Sequence, residues 1–118
     1  MARGDLEALL ALYDAEIEFL PLTGTRVESG GYRGHRGVRD YFAEADSVWD
    51  VIRPEAQSFQ SIGEDVIVFG HCAVRGRASR VETREPMAWV ITVRDRKIVR
   101  HRVFRTSEEA LEAAGHRD

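Results

Sequence analysis

The sequence has a single cysteine, a single lysine and three prolines in 118 residues, and no hydrophobic run approaches the ~20 apolar residues needed to span a bilayer. Cys72 alone allows no intrachain disulfide. Together with the four histidines it also lacks the close spacings of a structural zinc site, so no metal is expected. The N-terminus shows no basic stretch followed by an apolar segment and a small-residue cleavage site, which reads as a soluble, cytoplasmic protein. Positive charge is in deficit too: 17 basic against 20 acidic residues leave a formal net charge of −3. Phosphate backbones are bound by clustered cations, so neither nucleic acid nor a membrane is expected as a partner. Sixteen of the basic residues are arginine, a bias associated with GC-rich bacterial genomes. Repeats, low-complexity tracts and linkers are absent, and 43% hydrophobic residues suffice for one domain over residues 1–118.

What is present is organised by periodicity. Leu6, Leu9, Leu10 and Tyr13 recur at helical spacing behind Asp5 as N-cap. Ile17, Phe19 and the run to Leu22 read as a short strand closed by Pro21, Thr23 and Gly24, with Glu16 and Glu18 on its solvent side. The stretch Val27 to Gly37 contains four glycines and reads as a tightly turning loop; it lacks the Lys-Ser/Thr ending of a phosphate loop. A second amphipathic helix is expected over Val38 to Asp50, stopped by Pro54. Four strands follow, Ala56–Ile62, Val66–Arg77, Val81–Val93 and Ile98–Arg105, and Ser107 to Glu109 open a last helix through Ala114 with Gly115 as its stop. Short connections imply antiparallel pairing, hence an α+β domain. Two strands of twelve or more residues imply a strongly curled sheet that encloses a cavity.

Five segments then stand in a telling order: Arg3-Gly4-Asp5-Leu6-Glu7-Ala8-Leu9, Tyr13, Tyr32-Arg33-Gly34-His35-Arg36-Gly37-Val38, Val90-Ile91-Thr92-Val93-Arg94-Asp95 and Glu109-Ala110-Leu111-Glu112-Ala113-Ala114-Gly115. In order and spacing they resemble the SnoaL-like branch of the nuclear-transport-factor-two-like superfamily over nearly the whole chain. The resemblance implies a cone-shaped roll, a strongly curved mixed or antiparallel sheet wrapped around N-terminal helices, a pocket at the wide end and a homodimer through the outer sheet face. Two features depart from the family. Its members usually carry a dozen or more helical residues ahead of the Gly-Asp pair, so the first helix is expected to be truncated or absent here. The turn after Arg94-Asp95 carries Arg96 where glycine is common, which is strained if that turn needs positive φ and unstrained in a type I turn.

The superfamily includes ketosteroid isomerase, which uses a carboxylate base with a tyrosine and a protonated aspartic acid as oxyanion hole. Aligned on Gly4-Asp5 and Tyr13, its base position falls on Pro21. The protonated acid falls on Trp89 and the tyrosine would precede Met1, so that machinery is not present.

Alternation, with the resemblance, assigns inward faces. In Val81–Val93 Glu85, Met87, Trp89, Ile91 and Val93 form the more apolar, inward set; in Ile98–Arg105 the inward set implied by the resemblance is His101, Val103 and Arg105. In Val66–Arg77 both faces are apolar, and the resemblance selects Ile67, Phe69, His71, Ala73 and Arg75 as inward, leaving Cys72 outward. A hairpin centred on Ser79 would then set Ala73 opposite Glu85, gathering His71, Arg75, Glu85, His101 and Arg105 among Phe59, Met87 and Trp89. Such an apolar cavity with convergent polar groups is the usual character of a ligand site for a small hydrophobic or carboxylate molecule. Two readings stand open. In one, the protein is a cofactor-independent isomerase, cyclase or hydrolase with His71 or His101 as acid–base group and Arg75 or Arg105 holding an anion. In the other, it is a non-catalytic ligand-binding or dimerisation domain, with Arg75–Glu85 a structural pair and the histidines packing residues. An epoxide hydrolase of the limonene type needs two aspartates flanking an arginine and fits less well. Trp49, Tyr32, Tyr41 and Phe42 read as core or pocket wall.

Overall fold

The computed structural model describes residues 3–115, with side chains for residues 4–114; Met1, on which the shortened first helix turns, lies outside them. The chain runs α1 (Arg3–Leu12), β1 (Tyr13–Leu20), β2 (Tyr32–Arg33), α2 (Gly34–Val48), β3 (Trp49–Ile62), β4 (Asp65–Gly76), β5 (Glu82–Arg94), β6 (Lys97–Phe104) and α3 (Ser107–Gly115). The strands form one open six-stranded sheet in the order β2-β1-β6-β5-β4-β3. Consecutive strands from β3 to β6 pair antiparallel, as do β1 and β2, whereas β1 and β6 are parallel, so the sheet is mixed. The α+β class and curved-sheet architecture are as expected.

Some boundaries differ from the sequence reading for physical reasons. Tyr13 opens β1 rather than ending α1. The helix α2 starts four residues earlier than its apolar stripe, at Gly34, and the chain is already extended at Trp49. Pro54 therefore stops no helix; it lies inside β3, which is an edge strand and can spare an N–H.

The helices divide between the two faces of the sheet. On one, α1 lies against β1 and α2 against β1, β2 and β3, burying Leu10, Tyr13, Ile17, Phe19, Tyr32 and Val38. On the other, α3 sets Ala110 and Ala114 against Ile67, Ala88 and Val90, with Phe69 and Phe104 around them. Between the helices and β3–β5 on the first face, Val68, Cys72 and Trp89 form a third buried group.

The strand β4 sits in the middle of this arrangement and corrects one expectation. Cys72 is opposite Glu85, and Ala73 opposite Arg84, one residue away from the expected register. A one-residue slip exchanges the faces of a strand. Consequently Val68, Cys72 and Val74 share the face of Met87 and Trp89, while Ile67, Phe69, His71, Ala73 and Arg75 lie on the α3 face.

The curl of the sheet has a local origin. At Gly70, where β3 carries a bulge between Ala56 and Ser58, a side chain would collide with the Glu55 carbonyl oxygen. Absence of a Cβ lets the two backbones close in and bend there.

The β5–β6 hairpin turns through two residues, Asp95 at φ +50° and Arg96 at φ +66°. Positive φ at both centre positions is the primed hairpin geometry, so the type I alternative does not apply and Arg96 is strained. A left-handed L-residue costs about 1–2 kcal/mol, partly offset by the greater unfolded-state freedom of glycine. Arg96→Gly is therefore expected to stabilise the protein by about 0.5–1 kcal/mol. Urea denaturation of the two proteins checks this, and an unchanged or lowered midpoint at equal m contradicts it.

Candidate functional site

A cavity of about 550 Å³ opens between the helices and the sheet, within the usual range for small-molecule sites. Its walls come from α1 (Leu9, Leu12), the segment after β1 (Pro21 to Thr23), α2 (Tyr41, Phe42), β3 (Trp49, Ile52, Pro54), β4 (Cys72, Val74), β5 (Met87, Trp89) and β6 (His101, Val103). Among the described residues, Asp5 and Arg105, both exposed, are the carboxylate and the guanidinium that line it. Pro21 and Trp89, where ketosteroid isomerase would place carboxyl groups, both line the cavity and neither can take up a proton.

The interior polar chemistry centres on His101. Its ring projects from β6 opposite Ile91 of β5 and Phe19 of β1, and it meets the Phe19 ring edge-on at 5.2 Å between centroids. The Tyr13 hydroxyl lies 2.5 Å from its Nδ1. That contact depends on the shift in the β1–β6 register between Tyr13 and Glu18, and on His35 of α2, whose Nε2 bonds the Tyr13 carbonyl oxygen at 3.0 Å. Tyr13 is 1% exposed, and burial pushes its phenol far above the ordinary tyrosine range, so the hydroxyl keeps its proton. Burial lowers His101 to about 4, because an enclosed imidazolium loses its hydration. At neutral pH the ring is uncharged. Its Nε2 is enclosed and has no hydrogen-bond partner. A second phenol, Tyr41, is raised by burial while its hydrogen bond with Thr23 acts the other way, and both residues line the cavity.

Of the residues singled out in the sequence, the structure brings His101, Met87, Trp89 and Arg105 to the cavity, with Arg105 at an exposed position. Glu85 and Phe59 share the cavity face of the sheet, as the partners of Cys72 and Val68, but both are exposed and neither lines the cavity. His71 and Arg75 lie on the other face. Arg75 bonds Asp50 at 2.6 Å, where Arg77 and Arg80 also converge, and it is opposite Glu82 rather than beside Glu85. Those three guanidinium groups hold the Asp50 carboxyl below its usual range, the Arg75 hydrogen bond most of all. The outward guanidinium groups of Arg100 and Arg102 pair with Glu18 and Asp65. Cys72 faces the cavity instead of turning away, and burial raises its thiol, so it stays protonated and weakly nucleophilic. The Tyr13–His101 contact escaped the sequence reading, since a tyrosine on an amphipathic stripe looks like packing.

A larger hollow of about 930 Å³ lies among Glu16, Glu18, Arg33, Arg94, Arg100 and Arg102. Several of its charges are matched as ion pairs, Arg33 and Arg100 with Glu18 and Arg94 with Glu64, the pattern of a solvated face. Among the described residues no three His, Cys, Asp or Glu side chains cluster as metal ligands, and no helix is long and apolar enough to cross a membrane.

The sequence matches the SnoaL-like domain family over residues 1–101. The chain belongs to that family. Solved structures with the same fold include an NTF2-like protein from Burkholderia thailandensis E264, 25% identical, with a TM-score of 0.72 over 98% of this chain and 88% of that one. TerC co-crystallised with polyporic acid is 21% identical, with a TM-score of 0.75 over 96% and 88% of the two chains. A putative SnoaL-like polyketide cyclase from Shewanella putrefaciens CN-32 is 15% identical, with a TM-score of 0.68 over 93% and 86%. No curated protein matches the sequence. The SnoaL-like family is a small-molecule-binding fold, and in this member the cavity is largely apolar, with the Tyr13–His101 pair as its buried hydrogen-bonded dyad.

The neutral imidazole has a consequence for stability. Folded His101 titrates at about 4 and an unfolded histidine at about 6.5, so between these values the unfolded chain binds more protons. Stability therefore falls as pH drops from 6.5 to 4, with no slope from this group above 6.5. Relative to His101→Phe, which cannot protonate, the native sequence is expected to lose about 3 kcal/mol between pH 7 and pH 4. Denaturation curves of both proteins across that range test it, and parallel pH dependences contradict it.

Proposed function

We propose that this SnoaL-like domain takes an apolar, ring-sized small molecule into the cavity and acts on it as a cofactor-independent isomerase, cyclase or hydrolase through His101. The observation that carries the reading is an aromatic-walled cavity of about 550 Å³ with one enclosed, unpartnered polar atom, Nε2 of His101. A buried polar atom without a partner costs roughly 1–3 kcal/mol, a penalty that a ligand oxygen removes once the wall over the enclosed Nε2 yields on binding. The apolar walls, with Trp89, Met87 and Trp49, supply affinity by excluding water, and Arg105 is the available cation for a carboxylate near the mouth. TerC, which shares the fold, is co-crystallised with polyporic acid, and another neighbour is a putative polyketide cyclase; both favour an organic ring compound as ligand.

The non-catalytic alternative, a ligand-binding domain on the same scaffold, uses the same cavity and differs only in turnover. Screening aromatic ketones, acids and polycyclic compounds by thermal shift, followed by His101→Ala, separates the outcomes. Binding weakened about tenfold by His101→Ala is expected, with product formation lost in the variant if the protein is an enzyme. A ligand held equally well and turned over equally fast by His101→Ala sinks the proposal.

We further propose a homodimer through the α3 face, over the part of β3–β5 that α3 leaves uncovered. There Arg53 and Arg84 hold Glu55, which is opposite His71, leaving a row of charged side chains that a second copy is able to pair with. Sedimentation velocity at micromolar concentration is expected to give twice the monomer mass, and a monomer there contradicts it.

A further inference from the structure

The two nitrogens of His101 are not equivalent, and the hydrogen-bond arithmetic of the dyad decides which carries the proton. Nδ1 faces the Tyr13 hydroxyl and Nε2 faces no partner. If Nδ1 held the proton and donated it to the phenol oxygen, two buried groups would be left unmet: the tyrosine O–H and the Nε2 lone pair. If the tyrosine O–H donates to Nδ1, only Nε2–H is unmet. Each orphan costs energy in so enclosed a place, so the second arrangement wins. The depressed basicity of the ring agrees, since an imidazolium, which would present N–H on both sides, does not form near neutrality. His35, by gripping the Tyr13 carbonyl oxygen, keeps the phenol in position to donate.

We infer that Tyr13 is a positioning residue that fixes His101 as the Nε2–H tautomer, so that the cavity recognises its ligand through a hydrogen-bond-accepting oxygen, a carbonyl or an anionic oxygen. The ligand half of this inference rests on the cavity reading above; the tautomer half does not. An N–H donor held in a water-poor, apolar enclosure is the arrangement that strengthens a hydrogen bond to oxygen as negative charge develops there. It gives no such preference to a hydrocarbon of the same shape.

Two measurements test the inference on the full chain. Long-range ¹H–¹⁵N spectra of histidine-labelled protein at pH 7 are expected to show His101 with a protonated Nε2 and an unprotonated Nδ1. In Tyr13→Phe, which keeps the ring but removes the donor, the same spectra should move toward a mixture of tautomers. The second measurement titrates 1-tetralone and tetralin, a ketone and its hydrocarbon counterpart. Tetralone should bind the native protein about five- to tenfold more tightly, and Tyr13→Phe should narrow that ratio severalfold. A protonated Nδ1 in the native protein overturns the inference, as does equal affinity for the two probes. If neither probe binds, the cavity reading fails and the ligand class fails with it, while the nitrogen spectrum of the native protein still judges the tautomer. Should Tyr13→Phe not fold, that spectrum and the probe pair on the native protein decide the matter.

Discussion

The pairing of Cys72 with Glu85 across the β4–β5 hairpin sets the side on which every group of the central sheet falls. With that register Val68, Cys72 and Val74 join Met87 and Trp89 beneath the cavity, and Ile67 and Phe69 meet the alanines of α3. Shifted by one residue, β4 would send a histidine and an arginine into an apolar hollow and strand Ile67 without its helix. Burial of one mismatched charge costs several kcal/mol, so the register is strongly determined by the two layers that β4 separates. The bend at Gly70 acts with it, since it curls β3 over the same hollow and lets an open sheet enclose a volume.

Within that enclosure the polar chemistry is sparse and therefore directional. An apolar wall raises the stakes of each hydrogen bond, because water is not there to replace a missing partner. Three side chains from three elements form a chain of contacts: His35 of α2 holds the start of β1, Tyr13 holds a nitrogen of His101, and the other nitrogen is enclosed without a partner among the described residues. Desolvation keeps both rings neutral, with the imidazole too weakly basic to charge at ordinary pH. A site of this kind acts by presenting a dipole rather than an ion.

Much of this was legible in the residues. The more apolar face of Glu85 to Val93 marked Met87 and Trp89 as inward, and the resemblance placed His101 and Val103; all four line the cavity. The amphipathic stripe of α2 and the four-strand meander likewise follow from period and turn residues alone. His71 and Arg75 went to the wrong side for a reason that is also visible: β4 is covered on both faces, by α3 and by the cavity wall, and a strand buried twice has no polar face to betray its phase. The hairpin between Gly76 and Glu82 offered a loop of uncertain centre, and half a residue in that centre reverses the strand.

The sequence by itself determined the order of the helices and of every strand but the two-residue β2, the α+β class, the SnoaL-like resemblance and the inward side of Met87 and Trp89, because each is written in local spacing along a few consecutive residues. Only the tertiary structure decided the phase of β4 and the meeting of Tyr13 with His101. The first depends on which layers cover both faces of a strand, and the second on two side chains 88 positions apart brought together by the parallel β1–β6 pair and its register shift. Neither has a periodicity to announce it, since both are set by what lies across the fold rather than by what lies next along the chain.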